Sequence, residues 1–180
     1  MYANRGFTLV EMIAAIVVIG IIAAAGAPVM VESLKAYNST LTTVQTLDKL
    51  RYATERMARE FREATRNVNF TVSTTAPAFD KTDYLISGAT TTSISRHVAI
   101  SSDSVNGYVN LAYTTGGATT TAVLTDQLST TANSLQFAFW DQSGTTSTSV
   151  AASVRYVDIM LTLRANGQDY SSKTRVALQN

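Results

Sequence analysis

Cysteine is absent from the 180-residue chain, which removes both a disulfide framework and thiolate chemistry. A disulfide is only one option in an oxidising compartment, so its absence leaves the redox setting open. Histidine occurs once, as His97. No spaced set of acids accompanies it, which argues against a transition-metal site or a Ser/His hydrolase. A lone histidine in a β-prone run reads as a packing or surface residue. Gly116 and Gly117 lie among threonines and precede no helical pattern, so a phosphate-cradling loop is missing. Asp80, Asp83, Asp103, Asp126, Asp141 and Asp169 stand singly, without the ligand run of a calcium loop. The formal net charge is only +1, leaving no bulk field to draw in nucleic acid or an anionic membrane surface. These absences point away from an enzyme, and neither a metal nor a cofactor is expected.

What the chain does have is one long apolar run. From Phe7 to Val31 the sole ionisable residue is Glu11. Met12 to Val31 supplies about 20 uncharged, mostly apolar residues, enough for a helix to cross a hydrocarbon core of ~30 Å. Arg5 precedes the run, while Glu32 and Lys35 follow it. Under the positive-inside tendency the leader stays cytoplasmic and the remainder lies outside the cytoplasm. A cleaved secretory signal is the competing reading, because "AAAGAP" (Ala23 to Pro28) offers small residues for a signal peptidase. The run is longer than a usual signal core, it holds an acid, and a cut after Ala27 would leave Pro28 beyond the scissile bond. An unpaired carboxylate inside a span costs roughly 2.5 to 3.5 kcal/mol, which marks Glu11 as a candidate functional residue. Snorkelling to the headgroups is its bland alternative.

Gly6, Phe7, Thr8, Leu9, Val10 and Glu11 resemble, position by position, the processing site of type IV pilins and pilin-like proteins. The resemblance covers about 30 N-terminal residues and implies cleavage between Gly6 and Phe7 by a prepilin peptidase, with methylation of the new Phe7 amine. It also implies that Glu11 pairs with the Phe7 amine of a neighbouring subunit. Cleavage turns a neutral amide into a cation, and pairing offsets the desolvation of both charges. Gly20, Gly26 and Pro28 match places where pilin helices loosen in the assembled filament. Glycine and proline are in any case commoner in membrane helices, and Pro28 removes a backbone donor. The implied fold class is α+β, a long N-terminal helix covering an antiparallel β-sheet head. The implied partners are other pilin subunits, the peptidase and an inner-membrane pilus or secretion assembly platform.

Beyond Val31 the apolar positions Leu34, Tyr37, Leu41, Val44, Leu47, Leu50, Met57, Phe61 and Ala64 fall mostly three or four apart, the pattern of an amphipathic helix. It is too irregular for sustained coiled-coil heptads. Opposite charges at helical spacing, Glu55 with Arg59, Arg59 with Glu63 and Arg56 with Glu60, read as exposed pairs worth tenths of a kcal/mol each. The expected organisation is a leader over 1–6, a membrane and filament-core helix over 7–31, an amphipathic helix over 32–67 and an extracytoplasmic β-rich head over 68–180.

In that head, Val68 to Thr74, Ser93 to Ser101, Gly107 to Thr115 and Thr121 to Leu128 read as short strands. Leu135, Phe137 and Phe139 share one face of a further strand, and Val157, Ile159, Leu161 and Leu163 share one face of another. "ANGQDYSS" reads as a turn and "KTRVAL" as a returning strand. Trp140 is expected in the core. The tracts "TTAP", "GATTTS", "TTGGATTTA" and "SGTTSTS" read as solvated loops whose hydroxyls also offer glycosylation sites. Arg51, Arg56, Arg59, Arg62 and Arg66 form a basic stripe, but Glu55, Glu60 and Glu63 interleave with it, so nucleic-acid binding is not expected.

"DKLRYATERMAREFREA" and "VRYVDIMLTLRANGQ" with "RVALQN" resemble minor pilins of the mannose-sensitive haemagglutinin type and larger minor pseudopilins of type II secretion. The cysteine pair that often closes the C-terminal loop of major pilins is missing. The expectation is a minor pilin of a type IV pilus or pilin-like filament. A secretion pseudopilin and a single-pass anchored β-domain remain the alternatives.

Overall fold

The computed structural model describes residues 8–87 and 90–179. It divides into two compact units, one closing at Thr42 and the other opening at Thr43. A single α-helix, α1 (Leu9–Arg62), contributes to both.

In the first unit α1 carries exposed apolar side chains from Leu9 to Val31, and it is long and apolar enough to cross a membrane. Pro28 lies inside the helix without ending it, although it withdraws the donor owed to the carbonyl four residues earlier. In the weakly helical stretch that follows, three hydroxyls are satisfied on the helix itself. Ser33 Oγ donates to Val29 O at 2.8 Å, Thr40 Oγ1 to Ala36 O at 2.9 Å and Thr42 Oγ1 to Asn38 O at 2.9 Å, each over the i−4 spacing.

In the second unit α1 is covered by two antiparallel sheets rather than one. The first has five strands in the order β1 (Ala64–Thr65), β2 (Ala78–Ser87), β3 (Thr90–Asp103), β4 (Tyr108–Thr115) and β5 (Ala118–Thr125). The second is a meander of β6 (Leu135–Trp140), β7 (Tyr156–Ala165) and β8 (Gln168–Ala177). Leu50, Ala53, Met57 and Phe61 of α1 share one core with Phe79, Val98 and Leu111 of the first sheet and Phe137, Ile159 and Leu163 of the second. Phe61 joins the layers, its ring centroid 4.8 Å from that of Phe79 and 5.6 Å from that of Phe137. The expected inward alternation holds on β6 and β7, where Leu135, Phe137, Phe139, Val157, Ile159, Leu161 and Leu163 are all buried.

Several expectations need correction. The helix ends at Arg62, so Ala64 belongs to β1 and is buried there. Val68 to Thr74 is no strand. Asn69 N donates to Asn67 Oδ1 at 3.0 Å, a local side-chain turn that competes with extended pairing, and Val68 is 99% exposed. The first full strand is instead β2, whose Asp80, Lys81 and Asp83 disguise it as loop.

Two threonine tracts are strand where loop was expected. Gly116 and Gly117, with φ of 59° and 86°, form a two-residue turn, and Thr119 to Thr121 continue into β5. Thr91 and Thr92 likewise lie in β3. β-branched side chains favour such extended backbone. Asn166 and Gly167, at φ 52° and 77°, make a second turn of the same left-handed kind, so "QDYSS" is strand β8. Trp140 is not in the core. The alternation that sends Phe139 inward sends Trp140 outward, under the Arg175 guanidinium at 5.2 Å.

Candidate functional site

Gly6 and Phe7 lie outside the described residues; the candidate site is visible from Thr8 onward. Thr8 is the residue before α1, and Glu11 sits in its first turn. Glu11 N donates to Thr8 Oγ1 at 3.3 Å, and Thr8 N donates to Glu11 Oε2 at 3.4 Å. This reciprocal pair is a capping box, which satisfies two amide donors that the start of any helix leaves open. The Glu11 carboxylate is thus held at the Thr8 amide nitrogen. A carboxylate has acceptor capacity for several donors, so the cap leaves room for a cation. Sequence reasoning singled out Glu11 by its charge but missed Thr8, although a T-x-x-E spacing before an apolar run is the signature of this cap.

Gly20, Gly26 and Pro28 are interior to α1. A Cβ built at Gly20 or Gly26 meets nothing within 4 Å. No contact inside the first unit therefore demands glycine at either position.

The head contains two clusters of charge that periodicity assigned to solvent. Glu60 is 1% exposed. Its Oε2 lies 2.8 Å from Lys81 Nζ and its Oε1 lies 2.8 Å from Arg56 Nη2, while Tyr113 Oη donates to Oε1 at 2.7 Å. Lys81 also reaches Glu63 at 3.1 Å. Burial by itself would depress the Lys81 ammonium, but the hydrogen bonds to Glu60 and Glu63 outweigh it and the pKa is raised. The expected pairing of Arg56 with Glu60 therefore forms within α1, but around a buried carboxylate that also ties the helix to the sheet through Lys81 and Tyr113, not as an exposed pair. Glu55 pairs with Arg51 at 2.8 Å and Glu63 with Lys81, so neither leans on Arg59 as the spacing suggested. The basic stripe is correspondingly spent in part, since Arg51 is paired with Glu55. Arg56 is committed to Glu60 and Tyr113, and Arg66 donates to Val154 O at 3.1 Å.

The second cluster surrounds Asp158, also 1% exposed. Arg175 binds it through Nε at 2.5 Å and Nη2 at 2.9 Å, and Lys173 Nζ is 3.3 Å away. Arg175 Nη1 also donates to Gly144 O at 2.9 Å, pinning that loop to the sheet. The Arg175 hydrogen bond is the chief cause of a lowered Asp158 pKa. A carboxylate whose folded pKa lies below its unfolded value, about 3.9, contributes fully above that value and loses its contribution as pH falls through the folded one. Acid titration followed by Trp140, the only tryptophan, is expected to show the head loosening below about pH 4. Asp158→Asn should flatten that acid limb; an unchanged limb would assign it to other carboxylates.

His97 is half-exposed, with Nδ1 2.8 Å from Asp80 Oδ1. Asp80 also accepts from Asn67 and Asn69 at 2.8 and 2.7 Å. This trio anchors the turn after α1 to β2.

Comparison with known families matches residues 1–27 to the prokaryotic N-terminal methylation motif, which is the mark of the type IV pilin and pseudopilin class. Comparisons with curated proteins and with solved structures give no match.

Proposed function

We propose that this chain is a structural subunit of a type IV pilus or pilin-like filament, inserted in the inner membrane and assembled after removal of residues 1–6. The observation that carries the reading is the methylation motif over residues 1–27 continuing into a helix whose apolar side chains are exposed from Leu9 to Val31. Prepilin peptidase cuts between Gly6 and Phe7 and methylates Phe7. Membrane insertion covers the apolar face first, and neighbouring helices cover it after assembly. Glu11 then meets the Phe7 amine of an adjoining subunit, so that neither charge is buried unpaired. Gly20 and Gly26 allow close approach or local loosening of the helix in the filament. The protein performs no chemistry of its own; it is the substrate of the peptidase.

Within this class a minor pilin is the reading that the missing cysteine pair and the haemagglutinin-type resemblance support. A secretion pseudopilin would share every feature up to Val31, and recovery of the chain from purified surface pili separates the two. Mass spectrometry of the mature chain is expected to return an N-terminus at methylated Phe7, and Gly6→Asp should abolish cleavage. Recovery of filaments built from uncut chain would overturn the reading.

A further inference from the structure

Arg51, Glu55 and Arg59 follow one another at four-residue intervals, one row along a helix, and all three are exposed. Arg51 and Glu55 form an ion pair while remaining 79% and 66% exposed. Arg59 lines a groove of about 370 Å³ between α1 and β8 with Glu55, Arg62 and Thr174, and no ion pair of Arg59 is found among the described residues.

We propose that this row sets the axial register of a second copy of the chain lying parallel beside the first, displaced by four residues. Charge complementarity selects that displacement. With no offset, arginine faces arginine at 51 and 59 and glutamate faces glutamate at 55. At an offset of four, Glu55 faces Arg51 and Arg59 faces Glu55 of the second copy. An offset of eight brings Arg59 onto Arg51, and an offset of three brings Arg62 onto Arg59. The inference rests on the filament reading, which makes the copies parallel by inserting them in one membrane in the same sense. Exposed pairs are individually weak and screened by salt. The row therefore chooses among offsets instead of holding the filament together, and its effect is repeated at every subunit.

The test uses full-length chains with two distinguishable tags, co-expressed in equal amounts in cells that process and assemble them. The variant Arg51→Glu, Glu55→Arg, Arg59→Glu inverts the row and keeps its alternation, so the helix retains its internal pairs. It is expected to assemble by itself at the wild-type level. In mixed cells its share of wild-type filaments should fall at least about threefold, as two attractive pairs become repulsive, and the exclusion should fade in high salt. Glu55→Arg on its own, leaving three arginines in the row, should lower self-assembly. Mixing of inverted and wild-type chains in proportion to expression, inside filaments that do form, overturns this inference alone. Failure of the wild type to form any filament overturns the filament reading and this inference with it.

Discussion

Replacing Glu11 by alanine or by glutamine is expected to leave membrane insertion intact and to cut incorporation into filaments about 100-fold or more. On the proposed pairing of Glu11 with a neighbour's Phe7 amine, the substitution removes one partner of a buried ion pair, which costs roughly 3 to 5 kcal/mol because the other charge is stranded. The capping box supplies the control that separates this role from helix stability. Glutamine at position 11 still accepts from the Thr8 amide, as the same cap allows, but it cannot neutralise an amine. Thr8→Ala does the reverse, losing a cap worth about 0.5 to 2 kcal/mol while keeping the charge. Filament yield should therefore rank wild type above Thr8→Ala, and Thr8→Ala far above Glu11→Gln. Equal losses for Thr8→Ala and Glu11→Gln would reduce Glu11 to a helix cap.

Glu60→Ala should cost the head about 3 to 5 kcal/mol, since it leaves Lys81 buried beside Glu63 and Asp83 only. Denaturant unfolding of the full chain in detergent, followed by Trp140, measures it. Glu55→Ala, one turn away but exposed, should change stability by less than about 1 kcal/mol. The paired replacement Glu60→Leu with Lys81→Met should recover most of the loss, because hydrophobic substitutes of similar size often equal or exceed a buried ion pair. A loss for Glu60→Ala no larger than that for Glu55→Ala would show that the cluster is open to water. At high pH the same cluster has a defined weakness. Lys81 and Tyr113 both have raised pKa values in the fold, so their contribution is complete below their ordinary values near 10 and is lost as pH rises beyond them.

The apolar half of this architecture was legible in the sequence because burial of carbon leaves a period. Leu135, Phe137 and Phe139 alternate, Val157 to Leu163 alternate, and Leu50, Met57 and Phe61 recur on one helical face. Each set is where that period places it. Buried charge leaves no such trace. Glu60, Lys81 and Asp158 look like solvent-facing residues until their charged partners are brought from 15 to 21 residues away, and strand β2 was overlooked for the same reason. Threonine misled in the opposite direction, since hydroxyl tracts read as loops although their branched β-carbons suit strands. At the candidate site Glu11 announced itself as an acid in an apolar run. Thr8 was hidden because a cap is a relation between two residues rather than a property of one.

The hydroxyls of Ser33, Thr40 and Thr42 carry a last consequence. Each already donates to a carbonyl on its own helix, so a change of surroundings from headgroups to water or to packed protein strands none of those three donors. For a helix of this kind, transfer out of a bilayer is resisted chiefly by its bare hydrocarbon. A subunit of the kind proposed can then leave lipid without any of these three alcohols having to find a new acceptor.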